Sequence, residues 1–168
     1  MAMKDEVMVN QTNDGIVDID LSIIKKKKFR INGDNTKILE LNVSDMGIVS
    51  RLDEAYPKLS ALQDKVANLD DIVEGLEDQE ILSTTAKKLT EIDAEMRELL
   101  DFIFQSNVSE VCGADGSMYD LIEGTFRYEH IISALSRLYE TNLDSEVSKI
   151  KARIDKHTAK YTKPRKKR

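Results

Sequence analysis

Residues 25–59 read KKKKFRINGDNTKILELNVSDMGIVSRLDEAYPKL, and this stretch decides the fold. Residues 26–31 alternate in character, and residues 36–43 alternate again, with Leu39, Leu41 and Val43 on one face. Such a period of two is typical of strands that bury one face. Asn32-Gly33 tolerates the positive φ that a tight hairpin turn needs. The stretch therefore predicts an antiparallel hairpin over residues 26–43, followed directly by a helix.

A further strand is predicted before the hairpin. Residues 15–24 alternate, with Val17, Ile19 and Leu21 on one face. Together the three strands predict one small sheet, which a helix must cover if it is to be stable. Residues 1–14 are polar, rich in amides and without periodicity, and they predict a flexible arm.

The rest of the chain predicts about four helices, because apolar residues recur at steps of three or four along four segments. The first two stripes keep close to a 3.5-residue step, which predicts an antiparallel helical hairpin. The four stripes are Val49, Leu52, Tyr56, Leu59, Leu62, Val66 and Leu69; Leu89, Ile92, Met96, Leu99, Leu100, Ile103 and Phe104; Tyr128, Ile131, Leu135 and Leu138; and Leu143, Val147, Ile150 and Ile154.

Single residues predict the boundaries of these helices. Ser44 is a predicted N-cap for the first helix. Pro57 removes a helical hydrogen bond at a cost of roughly 3 kcal/mol, and it predicts a kink or a break at Tyr56. Gly75 predicts a corner, and Thr141-Asn142 separates the third stripe from the fourth.

The predicted fold class is therefore α+β and mostly helical, with a small N-terminal antiparallel sheet followed by a bundle of about four helices. We expect a flexible arm at residues 1–14, a single domain at 15–160 and a basic flexible tail at 161–168. Within the domain, residues 15–43 form the sheet and residues 44–160 form the bundle.

Composition indicates a protein of the cytoplasm. The 168 residues contain no apolar run long enough to span a membrane, for which about 18 residues are needed. The first residues include acids and amides where a secretion signal would be apolar. Cys112 is the single cysteine, which excludes an intrachain disulfide and gives no support for an oxidising compartment.

The sequence contains no motif typical of a catalytic, metal or cofactor site, so we expect no enzyme, no metal and no cofactor. The loop CGADGSMYD at residues 112–120 lacks the ligand spacing of a calcium loop and the Gly-Lys-Ser/Thr of a phosphate loop, so a structural turn is favoured over a ligand site. Cys112, His130 and His157 are too widely spaced for a zinc motif. A Cys-His nucleophile pair has no local signature.

Charge provides the candidate binding residues. Residues 40–123 hold 20 acidic and 6 basic residues, whereas residues 124–168 hold 5 acidic and 12 basic. A chain with this segregation can pair its own halves or stack head to tail with copies of itself, and a plain solvated surface is an equal alternative. The basic tail can also bind an acidic partner or a neighbouring subunit. The pI near 5.1 disfavours nucleic acid. The candidate partner-binding residues are Lys25, Lys26, Lys27, Lys28, Lys163, Arg165, Lys166, Lys167 and Arg168.

Three segments together resemble a known family. They are KKFRINGDNTKILELNVSDMGIVSRLDEAYPKL (27–59), GADGSMYDLIEGTFRYEHIISALSRLYE (113–140) and KHTAKYTK (156–163). They are similar to small proteins of the tail-morphogenesis region of tailed phages and prophages of Gram-positive bacteria. That region encodes tail assembly chaperones, which keep the tape-measure protein in solution, and minor tail or virion proteins. The resemblance implies no cofactor and no catalytic residue.

Three hypotheses follow. The preferred one is a tail assembly chaperone of the host cytoplasm, whose partner is the tape-measure protein and whose amphipathic helices accept a partner helix. The second is a structural tail component of the virion that forms a homo-oligomer. The third is a nucleic-acid-associated or regulatory protein that uses the basic C-terminal tail.

Overall fold

The computed structural model describes residues 9–11, 15–19, 21 and 26–161. In this part of the chain the fold is α+β and mostly helical, as predicted, with three two-stranded antiparallel sheets and five helices. None of these helices combines the length and the apolar character needed to cross a membrane. The elements are β1 (Val9–Gln11), β2 (Val17–Ile19), β3 (Lys27–Arg30), β4 (Ile38–Leu41), α1 (Ile48–Ala67), α2 (Leu69–Val73), α3 (Asp78–Phe104), α4 (Val108–Gly113), β5 (Leu121–Ile122), β6 (Thr125–Phe126) and α5 (Arg127–Tyr161).

The predicted hairpin is confirmed. β3 pairs with β4 so that Phe29 lies opposite Leu39, and the side chains of Leu39 and Leu41 are fully buried. Asn32 and Gly33 have φ values of 52° and 73°, the left-handed conformation that their sequence predicts. The alternation of the two strands therefore sends one apolar face into the core and leaves the other face exposed.

The predicted three-stranded sheet is wrong. β2 pairs with β1, with Val17 opposite Gln11, and forms a separate hairpin. β1 lies within residues 1–14, the segment for which the sequence predicts no regular structure. A short connection between neighbouring strands costs little loop-closure entropy, which favours this local pairing over pairing with β3.

The predicted antiparallel helical hairpin is confirmed in α1 and α3. Arg51 Nε donates to the carbonyl oxygen of Ile103 at 2.7 Å near one end of the pair, and Lys65 lies 2.6 Å from Glu95 farther along. Leu39, Leu41, Val43, Ile48, Ala55, Leu62, Ile92, Met96, Leu99, Leu100, Ile103, Phe104, Val108, Met118, Tyr119, Tyr128, Leu135 and Tyr139 form one core between the hairpin and the helices.

The predicted N-cap at Ser44 is wrong, because α1 begins at Ile48. Asp45 organises the turn before the helix: one carboxylate oxygen accepts from the backbone N–H of Gly47 at 2.8 Å and the other from Arg51 at 2.7 Å. The hydroxyl of Ser44 instead accepts a hydrogen bond from Asn142 of α5. The arginine bond, with help from the Gly47 bond, outweighs burial and holds the pKa of Asp45 below its usual value.

The helix continues through Pro57, so of the two predicted alternatives at Tyr56, a kink or a break, the break is wrong. Because Pro57 has no backbone N–H, the carbonyl of Asp53, four residues earlier, lacks its helical hydrogen-bond donor. Pro57 and Asp53 both lie on the exposed side of α1. That carbonyl therefore faces solvent, where water replaces the missing N–H, and the helix tolerates the ring. Gly75, with φ 84°, forms the predicted corner before α3.

The predicted separation at Thr141-Asn142 is also wrong, because α5 is continuous from Arg127 to Tyr161. The hydroxyl of Thr141 donates to the carbonyl oxygen of Arg137 one turn earlier, at 2.8 Å. The amide of Asn142 reaches outward to the carbonyl oxygen of Val43 at 3.1 Å. Both polar side chains thus form hydrogen bonds without interrupting the helix.

Candidate partner-binding surfaces

The exposed side of the β3–β4 hairpin is basic. Lys26, Lys28 and Arg30 lie on this side, which we call the basic face, and they line an open concavity of about 800 Å³. Lys28 Nζ lies 3.2 Å from a carboxylate oxygen of Glu40 on the neighbouring strand. Lys26 Nζ donates to the carbonyl oxygen of Gln105 at 3.4 Å. The face is therefore basic but partly neutralised.

The candidate residue Lys27 does not join this face. Its ammonium group donates to the side-chain oxygen of Asn142 at 3.0 Å and links β3 to α5. Among the candidate partner-binding residues, only Lys26 and Lys28 are thus brought together in the part of the chain that is described. Lys25, Lys163, Arg165, Lys166, Lys167 and Arg168 lie outside the described residues.

The loop at residues 112–120 is held by Arg97 of α3. The guanidinium donates to the carbonyl oxygens of Ser109 at 3.1 Å and Gly113 at 3.0 Å, and also to that of Gly116. Its Nε donates to Asp93 at 2.6 Å, one helical turn earlier. One arginine thus orders the end of α4 and the turn that follows it.

Asp93 holds the same loop from its other carboxylate oxygen, which accepts from the Ser117 hydroxyl at 2.8 Å and from the backbone N–H of Met118. Burial raises the pKa of Asp93, but the hydrogen bonds from Arg97, Met118 and Ser117 outweigh it and leave the pKa below its usual value. The loop's groups are engaged by the chain itself, which agrees with the structural turn that the sequence favours.

The two acids of this loop share one arginine. Asp115 and Asp120 lie 2.8 Å and 2.9 Å from the guanidinium nitrogens of Arg127, the first residue of α5. Lys37 lies 3.8 Å from Asp115. These ion pairs tie the loop to α5 and to the hairpin turn, so the two carboxylates act as structural partners of Arg127.

Cys112 and His130 line one cavity of about 530 Å³ between the β3–β4 hairpin and α5. Burial raises the pKa of the Cys112 thiol, which is opposite to the shift that a nucleophilic cysteine needs. One ring nitrogen of His130 lies 3.0 Å from the carbonyl oxygen of Ile122. Within the described ranges, no group of three or more His, Cys, Asp or Glu side chains is placed to hold a metal.

A groove of about 440 Å³ follows the contact between α1 and α3. Side chains cross it at two points. Lys65 reaches Glu95 at 2.6 Å, and the ammonium of Lys58 lies 5.3 Å from the ring centroid of Phe102. A partner helix would have to displace both contacts, which makes this groove a poor docking site.

A second groove, between α1 and the first turns of α5, has a volume of about 290 Å³ and is crossed by a neutral hydrogen bond instead of an ion pair. Its lining includes Leu59 and Ile132, and the amide of Gln63 on α1 donates across it to the Tyr128 hydroxyl on α5 at 2.8 Å. Tyr56 stands at its edge with 74% of its surface exposed. We call this site the α1–α5 groove.

Sequence reasoning missed the residues that organise these surfaces. Arg97 and Asp93 are absent from the predicted site residues, although a carboxylate and a guanidinium four residues apart beside an apolar stripe are a recognisable signal. The predicted core-facing stripe of α1 includes Tyr56 and Val49, but both are exposed. The core contains Ile48 and Ala55 instead, each one residue earlier.

No protein-family model, no curated protein and no solved structure matches this chain.

Proposed function

We propose that this chain is a non-enzymatic protein of phage tail assembly, a chaperone that binds the tape-measure protein in the bacterial cytoplasm. The observation that carries the proposal is the α1–α5 groove with Tyr56 exposed at its edge. Exposed aromatic residues beside apolar pockets are the usual anchors of protein–protein interfaces.

The dimensions of the groove limit what a partner can insert. A volume of about 290 Å³ takes one or two apolar side chains. An amphipathic helix supplies such side chains at steps of three or four residues. A tape-measure protein, which is long, helical and apolar along one face, offers many such sites in succession.

The chemistry of the remaining sites supports a binding role without catalysis. Burial raises the pKa of the Cys112 thiol, and the two acids of the 112–120 loop, Asp115 and Asp120, are both paired with Arg127. Such groups stabilise the fold and are not poised to accept or donate protons in a reaction.

A structural tail protein that forms an oligomer is the second candidate. It is favoured by the segregation of charge, since residues 40–123 are strongly acidic whereas the basic face of the hairpin is not. Copies of the chain would then bind through opposite charges. Mass spectrometry of purified particles separates the candidates: a stoichiometric presence in the virion contradicts the chaperone proposal.

The direct test is co-expression with the tape-measure protein of the same genome, followed by affinity purification. We expect tape-measure protein to be recovered in the soluble fraction with this partner and to precipitate without it. Failure of the wild-type chain to bind or to solubilise the tape-measure protein would overturn the proposal.

A further inference from the structure

The second half of α5 carries an apolar stripe with a seven-residue repeat. Leu143, Val147, Ile150 and Ile154 follow one another at steps of four, three and four residues. Leu143 is half-buried, whereas Val147 and Ile150 are 41% and 53% exposed. This spacing is that of a coiled-coil seam, in which the stripe packs against a second helix.

The stripe begins where α5 leaves the core. The last buried residue in the described part of α5 is Tyr139, and Asn142 forms hydrogen bonds to Val43 and Ser44 at the end of the hairpin. From residue 143 to its end at Tyr161 the helix continues for about 28 Å. In proteins most of the stability of a helix comes from packing of its apolar face, so a second helix against this stripe would stabilise the segment.

The charges beside the stripe indicate that the second helix is α5 of another copy of the chain. Asp144 and Lys151 are both exposed. Asp144 directly follows Leu143 and Lys151 directly follows Ile150, so both charges lie on the same side of the stripe. When two copies of this helix run antiparallel with Val147 of one opposite Ile150 of the other, Asp144 of each copy faces Lys151 of the other. The twofold symmetry forms this pair twice, and flanking charge pairs of this kind set partner choice and orientation in coiled coils.

A parallel arrangement is less favourable. It would place Asp144 opposite Tyr139, which is buried against the core and offers no charge, although Lys151 would still face Glu146 of the other copy. It would also bring the two cores side by side at the start of the paired region, whereas the antiparallel arrangement places them at opposite ends.

We propose that residues 143–154 of α5 pair antiparallel with the same segment of a second copy, forming a homodimer. The paired segment lies beyond the α1–α5 groove, so each dimer presents two such grooves. The inference does not depend on the identity of the partner that the groove binds.

The first test measures the mass of the full chain in solution by light scattering and sedimentation over a wide range of concentration. The wild type forms a dimer that dissociates on dilution. Ile150→Lys shifts the chain to monomer, whereas the matched control Ala152→Lys, which adds the same charge at an exposed position off the stripe, leaves the dimer intact. Circular dichroism confirms that both variants remain folded.

Two results overturn the proposal. One is a wild type that stays monomeric at the highest soluble concentration, which would leave the stripe to another occupant such as the tape-measure protein. The other is an Ile150→Lys variant that dimerises as tightly as Ala152→Lys.

The orientation is tested by charge reversal. Asp144→Lys and Lys151→Asp each raise the dissociation constant of the dimer, by roughly fivefold for two exposed ion pairs. The double variant, which exchanges the two charges, returns the constant to near the wild-type value if the helices are antiparallel. A double variant as weak as either single variant contradicts the antiparallel pairing.

Discussion

The side-chain amide of Asn142 donates to the carbonyl oxygen of Val43 at 3.1 Å, and this bond joins the middle of α5 to the segment that directly follows strand β4. The same amide bonds the hydroxyl of Ser44, and its oxygen accepts from Lys27. A single residue therefore connects the long helix with both strands of the hairpin and with the turn before α1.

Replacing Asn142 by alanine is expected to lower the free energy of unfolding by about 1–2 kcal/mol, because it leaves the Val43 carbonyl without a partner. Urea denaturation at neutral pH measures the change. Ser145→Ala, an exposed substitution on the same helix, is the control and should have little effect. Equal stability of the two variants would show that the Asn142 bonds contribute nothing.

Arg97 is expected to be one of the most sensitive polar positions. Arg97→Met removes hydrogen bonds to three carbonyl oxygens and leaves the half-buried Asp93 without its cation, so we expect a loss of about 2–4 kcal/mol. Arg97→Lys should recover only part of this, since a lysine cannot reach several acceptors in one plane. The exposed Arg137→Met is the matched control in the same urea experiment, and it should remain close to wild type.

Acid sensitivity is expected from the carboxylates of Asp93 and Asp45, whose pKa values are lowered in the folded protein. The unfolded chain then binds more protons at low pH, so the stabilisation is present above the unfolded pKa near 4 and is lost as the pH falls through the lower folded pKa values. Asp93→Asn should be less stable at pH 7 and should lose less stability on acidification. Urea midpoints at several pH values test this, and parallel curves for the variant and the wild type would contradict it.

Pro57→Ala is expected to stabilise the protein. Alanine restores the backbone N–H in the interior of α1 and relieves the clash of the proline ring, which together amount to about 1–3 kcal/mol after the loss of proline's restraint on the unfolded chain. Thermal unfolding measures the gain. The control is Ser60→Ala on the exposed side of α1. The neighbouring Lys58 is less suitable as a control because its ammonium group contacts the ring of Phe102. A lower melting temperature for Pro57→Ala would mean that the helix depends on the proline.

The hairpin and the pairing of α1 with α3 could be predicted from sequence because each rests on a local period. Alternation at Leu39 and Leu41 fixes the buried face of β4, and Asn32-Gly33 fixes the turn. On α3, six residues of the predicted stripe are buried, as their spacing predicts, whereas Leu89 of the same stripe is exposed; the six are Ile92, Met96, Leu99, Leu100, Ile103 and Phe104.

The exact face of α1 could not be read in the same way. Val49 and Tyr56 are larger than Ala55 and fit a repeat of seven, yet Ile48 and Ala55 occupy the core. A residue one position later is rotated by about 100° around the helix, which is enough to move it from the core to the rim. The small side chain of Ala55 suits the close contact with α3, a requirement that depends on the partner helix and not on α1 itself.

The polar connections were also beyond local reasoning. Thr141-Asn142 resembles a helix boundary in sequence. The side-chain amide of Asn142 instead donates a hydrogen bond to the carbonyl oxygen of Val43, about a hundred residues earlier in the chain. The bonds from Arg97 to the 112–120 loop likewise exist only once α3 and that loop are side by side. Tyr56 became a candidate anchor for the same reason, because the groove beside it forms only when α5 packs near α1.

The most direct measurement of the central claim is the amount of soluble tape-measure protein recovered on co-expression with the wild type, with Tyr56→Ala and with Leu82→Ala. Tyr56 and Leu82 are equally exposed at 74%, but Leu82 lies near the start of α3, away from the α1–α5 groove. The account predicts recovery with the wild type and with Leu82→Ala, and a loss of roughly tenfold or more with Tyr56→Ala, as for an interface anchor. Equal recovery with Tyr56→Ala and the wild type would contradict the assignment of the groove, and no recovery with any of the three would contradict the chaperone function.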